Sequence, residues 1–242
     1  YRYNGKEAQA FLNNPYLDYG ARQYDSDGAI WLGKDPLSEK YYPISPYAFC
    51  ANNPIKFVDS DGRKVYYAPG VSQKFKDKFA ATIKYMNSRG SAGDIASLEK
   101  SDKVYYIGDK DSAGKSNKFV VDGTQTTIYW DPDTAYQTTE GIWISPATVL
   151  AHEVGHAIEY DKQPNEFMQN VKKEDGDYDN IEERRNITTT EQKAARKHKE
   201  IKDGTVTRRN HKMADKSNVN NLTPYEIEDK FRKINEFINN SN

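Results

Sequence analysis

The sequence predicts an α+β fold for a chain of 242 residues. Three observations lead to this prediction: a first quarter dense in turn residues, four later runs of β-branched and aromatic residues, and helical patterns that open at capping residues. We divide the chain into a β- and turn-rich segment, residues 1–63, and an α+β domain, residues 64–242. With 36 % apolar residues, the chain can bury a core.

The first segment is rich in Tyr, Asn, Gly, Pro and Asp. This composition favours turns and short strands and excludes a long helix. Short aromatic strands of this kind need neighbouring strands to pack against. The turn signals are Asn13-Asn14-Pro15, Asp27-Gly28, Asp35-Pro36, Asn52-Asn53-Pro54 and Asp61-Gly62.

Four runs after residue 63 predict the strands of one small sheet, because β-branched and aromatic residues favour extended backbone. Between the first two runs, Ser72 precedes apolar residues at helical spacing and Gly90 follows them, which predicts a helix packed on the sheet. The runs are residues 64–68, 103–107, 118–121 and 126–130, and the helical residues are Phe75, Phe79, Ile83 and Met86.

A capping signature predicts a last helix. Thr223 caps it, Pro224 fills the first helical position, and Glu226 can reach back to the cap. An apolar stripe follows at helical spacing and indicates a packing face rather than a site. Its members are Ile227, Phe231, Ile234 and Ile238.

The motif that carries chemistry is His152-Glu153-Val154-Gly155-His156, an HExxH string. Ser145-Pro146 opens the helix that bears it, with Ser as cap and Pro at the first position. Because His152 and His156 are four residues apart, both imidazoles project from one helix face and can bind one zinc ion. Glu153 is then placed to act as general base on a water whose pKa the zinc lowers.

Composition excludes several other kinds of site. The single cysteine, Cys50, rules out a disulfide framework and a Cys-rich zinc module. The net charge of -1 favours neither nucleic acid nor a membrane surface, and no apolar run reaches the roughly 20 residues of a membrane span. Residues 1–4 do not resemble a signal peptide, and we expect the chain to be the tail of a longer protein.

A catalytic zinc usually has three protein ligands and one open position, so a third ligand is expected downstream of His156. The extension that would supply a third histidine is absent, since residues 157–160 read Ala-Ile-Glu-Tyr. We therefore expect a glutamate. The candidates are Glu182, Glu183 and Glu191, with Glu159 too near on the same helix, and the remaining histidines are His198 and His211.

Motifs over roughly the first 62 residues resemble, in order, the Rhs repeat-associated core. The resemblance implies that this segment ends a long β-strand cocoon and that a variable toxin domain follows, delivered into a target cell. It implies as partners the rest of the cocoon, a protein substrate and an immunity protein. The motifs are residues 3–7, 18–25, 35–37, 45–47 and 52–62, the last running from Asn52-Asn53-Pro54 to Asp59-Ser60-Asp61-Gly62.

Some members of that family cut themselves after the final motif, using aspartates of the core. Asp35 matches one of these aspartates, but Lys34 precedes it where Arg is common, and the second aspartate has no counterpart near Ala48. Self-cleavage near Gly62-Arg63 therefore stays open. For the other aspartates of the segment, turn formation is the favoured interpretation. They are Asp25, Asp59 and Asp61.

Residues 127–132, 145–146 and 149–157 resemble the zincin-like metallopeptidase toxin domains found behind Rhs cores. The resemblance implies an edge strand that holds substrate, for which we choose residues 127–130. Glu191 is our choice as third ligand, because residues 188–190 can cap a helix there and its separation from His156 resembles that in clostridial neurotoxin proteases. Glu183, in a pair resembling one in Rhs-associated zincins, is the alternative ligand or orients a histidine.

The sequence thus predicts a secreted or delivered zinc metalloendopeptidase, with His152, His156 and Glu191 as ligands and Glu153 as base. His211 is a candidate to stabilise the oxyanion. Two alternatives remain: a nuclease-type toxin that uses the basic stretch at residues 184–216, and an inactive zincin-fold binding module. The stretch lacks interleaved aromatic residues, so a nucleic-acid partner is not expected.

Overall fold

The structure is a computed structural model that describes residues 7–8, 16–19, 22–34, 45, 47, 49, 65–98, 101, 103–110, 117–123 and 125–241. The chain is α+β, as predicted, with three small sheets and several helices in this part. Asp35, Ala48 and the Gly62-Arg63 junction lie outside the described residues. The expectations that concern them, and the proposed division at residue 63, stay predictions.

The first sheet is an antiparallel meander of short strands in the order β1-β2-β3-β4, as the turn-rich segment predicts. Asp25 accepts hydrogen bonds from the backbone N–H groups of Asp27 and Gly28, which is the turn role expected of it. The strands are β1 (Glu7–Ala8), β2 (Leu17–Asp18), β3 (Gln23–Asp25) and β4 (Ile30–Trp31), and their buried cluster is Leu17, Tyr19, Tyr24, Trp31 and Phe49.

The second sheet contains the four predicted strands, in the order β5-β6-β8-β7. Its strands are β5 (Val65–Tyr67), β6 (Tyr105–Asp109), β7 (Lys118–Asp122) and β8 (Gln125–Trp130). β8 pairs parallel with β6 and antiparallel with β7, so the choice of residues 127–130 as an edge strand is wrong. β7 is an edge of this sheet among the described strands.

Two helices follow β5. In α1 (Gln73–Arg89), the Ser72 side chain accepts a hydrogen bond from the N–H of Phe75, and Gly90 ends the helix in the left-handed conformation, with φ of 68°. This confirms the predicted helix and both of its ends. α2 (Gly93–Leu98) is short. Phe75 and Phe79 of α1 meet the ring of Trp130 edge-on, which packs the helix against β8.

A third sheet, which the sequence did not predict, has the order β10-β9-β11. Its strands are β9 (Thr134–Thr138), β10 (Trp143–Ile144) and β11 (Met213–Asn218). The last helix, α7 (Pro224–Ser241), packs on this sheet through Phe231, whose ring stacks on Trp143 at 4.8 Å. The capping box at its start is present, because the N–H of Thr223 donates to Glu226 Oε2 at 2.8 Å.

The remaining helices carry the motif and its surroundings. They are α3 (Pro146–Lys162), α4 (Pro164–Asn170), α5 (Ile181–Asn186), a π-helical turn (Ile187–Glu191) and α6 (Gln192–Lys197). α5, the π-helical turn and α6 form one continuous helical run. Within the described residues, no helix is long and apolar enough to cross a bilayer.

Candidate metal centre

α3 is fixed in the centre of the molecule. The Ser145 side chain caps it by accepting from the N–H of Thr148, and Pro146 takes the first turn, as the sequence predicts. Every residue from Pro146 to Ala157 is buried. The indole N–H of Trp130 donates to the Pro146 carbonyl at 2.8 Å, which ties the start of the helix to β8. The HExxH motif therefore sits on a rigid element.

The two motif histidines turn the same ring nitrogen toward one point. His152 Nε2 and His156 Nε2 are 3.0 Å apart. Glu183 joins them, with one carboxylate oxygen 3.1 Å from His156 Nε2 and the other 3.4 Å from His152 Nε2. His211 Nε2 is 3.4 Å from the same Glu183 Oε2. Two imidazole nitrogens and a carboxylate thus converge as a zinc ion would require.

A buried oxygen without a hydrogen-bond partner supports a cation at this point. Within the described part of the chain, Glu183 Oε2 is buried and accepts no hydrogen bond. Such an atom is costly to bury unless something else satisfies it. The ligand atoms of His152, Glu183 and His211 all lie within 4.8 Å of one another, a separation that allows one metal ion to bind all three. The donor set of nitrogen and carboxylate oxygen suits zinc.

The electrostatics of the site favour positive charge. Burial opposes the charged form of His156, but hydrogen bonds to Glu182 and Glu183 outweigh it and raise the pKa of His156 to about 9. Burial likewise opposes ionisation of Glu183, yet the two histidines hold the pKa of this carboxyl far below its usual range. The carboxylate charge that favours the protonated form of His156 also favours a bound metal cation.

His152 is oriented by a buried carboxylate on its other side. Glu191 Oε2 is 2.8 Å from His152 Nδ1. Arg208 Nη2 lies 3.2 Å from the same nitrogen, but two donors cannot share one hydrogen bond, and the shorter contact to a carboxylate places the hydrogen on Nδ1. Arg208 and Thr207 donate to Glu191, at 2.6 Å each. Nε2 of His152 is therefore left with its lone pair for a metal.

His156 has the same kind of support. Its Nδ1 is 2.9 Å from Glu182 Oε1, and Arg185 donates to both oxygens of Glu182. Arg185 also donates to the Gly155 carbonyl at 3.1 Å. Each motif histidine is thus hydrogen-bonded to a carboxylate that is itself paired with an arginine, the arrangement that fixes ring orientation at metal sites.

Glu153 lines the same cleft as His152 and His156. Its side chain is largely buried, with 6 % exposed, and it forms no hydrogen bond or ion pair with other described residues. A carboxylate without a hydrogen bond to the described residues, next to two potential metal ligands, is available to a water molecule. This is the position the sequence predicts for a general base.

His211 lies at the mouth of the cleft and is half exposed. Its Nδ1 is 2.6 Å from Asp179 Oδ2, and the Asp179 carboxylate also accepts from the backbone N–H of His211 at 2.9 Å. The Nε2 atom then faces Glu183 and the metal position. The structure brings this candidate residue to the predicted site, where it can bind the metal or donate to a substrate.

Glu183 and Glu191 lie on the opposite sides of the histidine rings from those expected. Glu191, our choice as third ligand, contacts Nδ1 of His152 and lies on the far side of that ring from the convergence point. The expected helix start at residues 188–190 is wrong, because residues 187–191 form a π-helical turn inside a continuous run. The geometry favours Glu183 as third ligand and gives Glu191 the orienting role.

The π-helical turn packs closely on α3. A Cβ atom at Gly155 would lie 2.1 Å from Asn186 Oδ1 and 2.9 Å from Thr190 Cγ2, so only glycine fits at this position of the motif. Asn186 Nδ2 donates to the His152 carbonyl at 2.8 Å. This contact sets the position of α5, and therefore of Glu183, relative to the two histidines.

The metal position opens into a cleft of about 680 Å³. Edge strand β7 forms part of its wall, together with α4 and parts of β9 and β10. Among the described strands, β7 pairs with β8 alone, so its other side can accept an extended peptide. A cleft of this size suits a ligand of several residues or a drug-sized molecule.

The basic stretch at residues 184–216 is largely engaged in internal contacts. At least six of its eleven lysines and arginines contact carboxylates or a carbonyl. These are Arg184 with Asp175, Arg185 with Glu182, Arg196 with Asp203, Lys197 with the Gly90 carbonyl, Lys199 with Glu228, and Arg208 with Glu191. This leaves fewer cations for a nucleic acid and weakens the nuclease alternative.

His198 lies away from the cleft and is buried. Its Nδ1 is 2.7 Å from Thr148 Oγ1, and its Nε2 is 2.7 Å from Ser91 Oγ. Burial lowers the pKa of His198 to about 3, so the ring is neutral. It supports the start of α3 rather than the metal position.

Sequence reasoning missed the supporting role of several residues of the site. Glu182 was only a ligand candidate, and nothing in the spacing singled out Arg208, Thr207 or Asp179. The adjacent pair of Glu182 and Glu183 was the available signal: neighbouring helical residues point in different directions, so one can reach the metal position while the other supports a histidine. Arg208 comes from an irregular segment, for which no periodicity exists.

The chain matches no family model, no curated protein sequence and no solved structure. Function is therefore inferred from the geometry of the site and from the sequence motifs.

Proposed function

We propose that the chain is a zinc-dependent peptidase with a zincin-like catalytic domain. The observation that carries the proposal is the convergence of His152 Nε2, His156 Nε2 and the Glu183 carboxylate at one point beside Glu153. These three side chains would hold the metal. Bound zinc supplies a Lewis acid that acidifies water and polarises the scissile carbonyl.

Residues of this chain supply the other catalytic roles. Glu153 accepts the proton of the attacking water and returns it to the leaving amine. His211, held by Asp179 through Nδ1, can donate from Nε2 to the oxygen that gains negative charge when both ring nitrogens carry a hydrogen. Strand β7 hydrogen-bonds the substrate backbone in extended form, which holds the scissile bond beside the metal.

An experiment that tests this proposal removes the metal and then restores it. The purified chain is stripped with a chelator, reloaded with zinc, and incubated with a mixture of peptides from a digested proteome. New termini are then identified by mass spectrometry. We expect cleavage after reloading and none in the stripped protein. The absence of cleavage by a chain that binds one zinc would contradict the proposal and favour a binding module.

We further propose that the enzyme acts as an effector at the end of an Rhs protein, inside a target cell. The support is the ordered set of Rhs-like motifs over roughly the first 62 residues. The test is expression of residues 64–242 inside bacterial and eukaryotic cells, with Glu153→Gln as the matched control. Growth arrest and new protein termini only with the wild-type sequence are the expected result. Equal growth in all four cultures would contradict the effector role.

A further inference from the structure

His211 comes as close to Glu183 as one of the motif histidines does. Its Nε2 atom is 3.4 Å from Glu183 Oε2, the distance that also separates this oxygen from His152 Nε2. The ring centres of His152 and His211 are 5.9 Å apart, and the two rings are nearly perpendicular. Nitrogen and oxygen ligands of a tetrahedral zinc ion, each about 2.0 to 2.2 Å from the metal, are about 3.3 to 3.6 Å from one another. His211 Nε2 and Glu183 Oε2 are therefore spaced like two ligands of one ion.

Asp179 holds the His211 ring in the orientation of a metal ligand. The Asp179 carboxylate is 2.6 Å from Nδ1 and also accepts from the backbone N–H of His211. An ionised carboxylate only accepts hydrogen bonds, so the neutral ring carries its hydrogen on Nδ1 and keeps the lone pair of Nε2. The two motif histidines have the same arrangement, with a carboxylate at Nδ1 and Nε2 turned to the metal position.

Two acceptor atoms therefore face each other between His211 and Glu183. Glu183 Oε2 is buried and accepts no hydrogen bond from the described residues. The lone pair of His211 Nε2 would repel this oxygen at 3.4 Å if no positive charge lay between them. A metal ion bound by both atoms removes the repulsion and satisfies the buried oxygen.

We propose that His211 is a fourth, displaceable metal ligand, which joins His152, His156 and Glu183 and closes the metal site until another ligand replaces it. The inference rests on the zinc site of the proposed function and does not depend on peptide cleavage. Four protein ligands leave no open position on a tetrahedral zinc ion, whereas a catalytic site needs one. A substrate must then displace His211 before its carbonyl can reach the metal.

Exposure indicates which of the four ligands leaves. The side chains of His152, His156 and Glu183 are 1 %, 9 % and 11 % exposed, whereas that of His211 is 50 % exposed. His211 belongs to residues 198–212, all of them described, which form neither helix nor strand. A released His211 ring regains water at the mouth of the cleft, but a released buried ligand would lose its partner without hydration.

The two roles of His211 belong to successive states of the enzyme. Before substrate binds, Nε2 uses its lone pair as a ligand. After displacement, Nε2 can take a proton from water while Nδ1 keeps its hydrogen bond to Asp179, and the ring then has a hydrogen to donate to the substrate oxygen. Displacement therefore converts a group that closes the metal site into the donor that the proposed reaction needs.

Azide binding to the cobalt-loaded protein tests the fourth ligand without any cleavage. Cobalt binds the same nitrogen and oxygen ligands as zinc, and its visible absorption spectrum changes when a ligand is added or exchanged. Spectra are recorded during azide titration of the whole chain as wild type, His211→Ala and Lys212→Ala. Lys212 is exposed, adjoins His211 and does not line the cleft, so Lys212→Ala is the matched control.

We expect azide to bind the wild type and Lys212→Ala about ten-fold or more weakly than it binds His211→Ala, because the ring leaves the position open only a small fraction of the time. Zinc affinity, measured by competition with a chelator, is expected to fall about ten-fold or more in His211→Ala, since a ligand is lost. Free imidazole is expected to take the place of the ring in His211→Ala and to weaken its azide binding.

The outcomes separate this inference from the peptidase proposal. Equal azide affinity in the wild type and His211→Ala would overturn the fourth ligand and leave the zinc peptidase standing, with His211 as a donor only. The expected azide affinities in a zinc-loaded chain that cuts no peptide would overturn the peptidase and keep the fourth ligand. A wild type that binds neither cobalt nor zinc would overturn both.

Discussion

Glu191 Oε2 lies 2.8 Å from His152 Nδ1, on the ring nitrogen opposite to the one that faces His156. The carboxylate is fully buried and paired with Arg208. Glu191 therefore acts on the metal position through His152: it keeps the hydrogen on Nδ1 and leaves Nε2 free to bind.

This geometry separates the effects of two glutamate substitutions on zinc affinity. Glu191→Gln is expected to weaken zinc binding about 10- to 100-fold, as is typical when a residue that orients a ligand is changed. Glu183→Gln removes a ligand and is expected to weaken binding more. Competition with a chromophoric chelator measures both. Glu166→Gln, an exposed change on α4, is the control and leaves the affinity unchanged. Loss of zinc in Glu191→Gln with zinc retained in Glu183→Gln would make Glu191 the third ligand, as the sequence predicted.

The buried pair of Arg208 and Glu191 predicts a non-additive effect on stability. Arg208→Met leaves the Glu191 charge buried without its arginine and is expected to lower the free energy of unfolding by about 3 to 5 kcal/mol. The double variant Arg208→Met with Glu191→Gln removes that charge and is expected to recover part of the loss. Urea denaturation of the wild type, both single variants and the double variant measures the coupling. Strictly additive losses would show that the pair is not coupled.

Gly155 predicts a steric effect inside the motif. In Gly155→Ala, the added methyl group meets Asn186 Oδ1 and Thr190, so α3 and the π-helical turn must separate. Such overpacking lowers stability by about 1 to 3 kcal/mol, and the shift also moves Glu183 away from the histidines. Gly176→Ala is the matched control, since no atom lies within 4 Å of its added Cβ. Thermal unfolding and zinc affinity are measured for both, and equal behaviour of the two variants would contradict the close packing.

His198 and Glu200 predict two opposite pH effects on stability. Thr148 Oγ1 lies 2.7 Å from His198 Nδ1 and donates to Glu200 at 2.7 Å. Burial lowers the pKa of His198 to about 3 and raises the pKa of Glu200 to about 7. Between about pH 4.5 and 6.5 the folded protein keeps both groups neutral, whereas the unfolded chain has both charged.

In this pH range His198 binds a proton only in the unfolded chain, whereas Glu200 binds a proton only in the folded protein. The His198 contribution to stability therefore rises with pH, and the Glu200 contribution falls, each by up to about 1.4 kcal/mol per pH unit. Relative to the wild type, Glu200→Gln is expected to gain stability as pH rises from 4.5 to 6.5, and His198→Asn to lose it. Urea denaturation at four pH values measures both slopes. Slopes of the same sign would contradict this assignment.

Local sequence signals predicted most of the elements that position the site. Capping at Ser72, Ser145 and Thr223 set the starts of three helices, and β-branched runs identified the second sheet, because both signals depend on neighbouring residues alone. β11 was missed since its sequence, Met-Ala-Asp-Lys-Ser-Asn, has no β-branched or alternating apolar pattern. Pairing with β9, distant in sequence, is what makes it a strand.

The residues of the site also fall into two groups, those with a local sequence signal and those without one. His152, Glu153 and His156 follow from spacing on one helix, whereas the third ligand depends on how a second helical run packs across α3. The π-helical turn and the contact at Gly155 decide which glutamate reaches the metal position, and neither has a local signal. The edge strand was misassigned for a similar reason, because strand order is a property of the whole sheet.

The most direct test of the zinc peptidase compares the wild type with Glu153→Gln. Zinc content and affinity are measured first, and hydrolysis of a proteome-derived peptide mixture second. Because the proposal makes Glu153 the base and not a ligand, we expect one zinc per chain in both proteins and cleavage about 100- to 10,000-fold slower in the variant. Equal cleavage by the two proteins, or a zinc-loaded wild type that cuts no peptide, would contradict the proposed function.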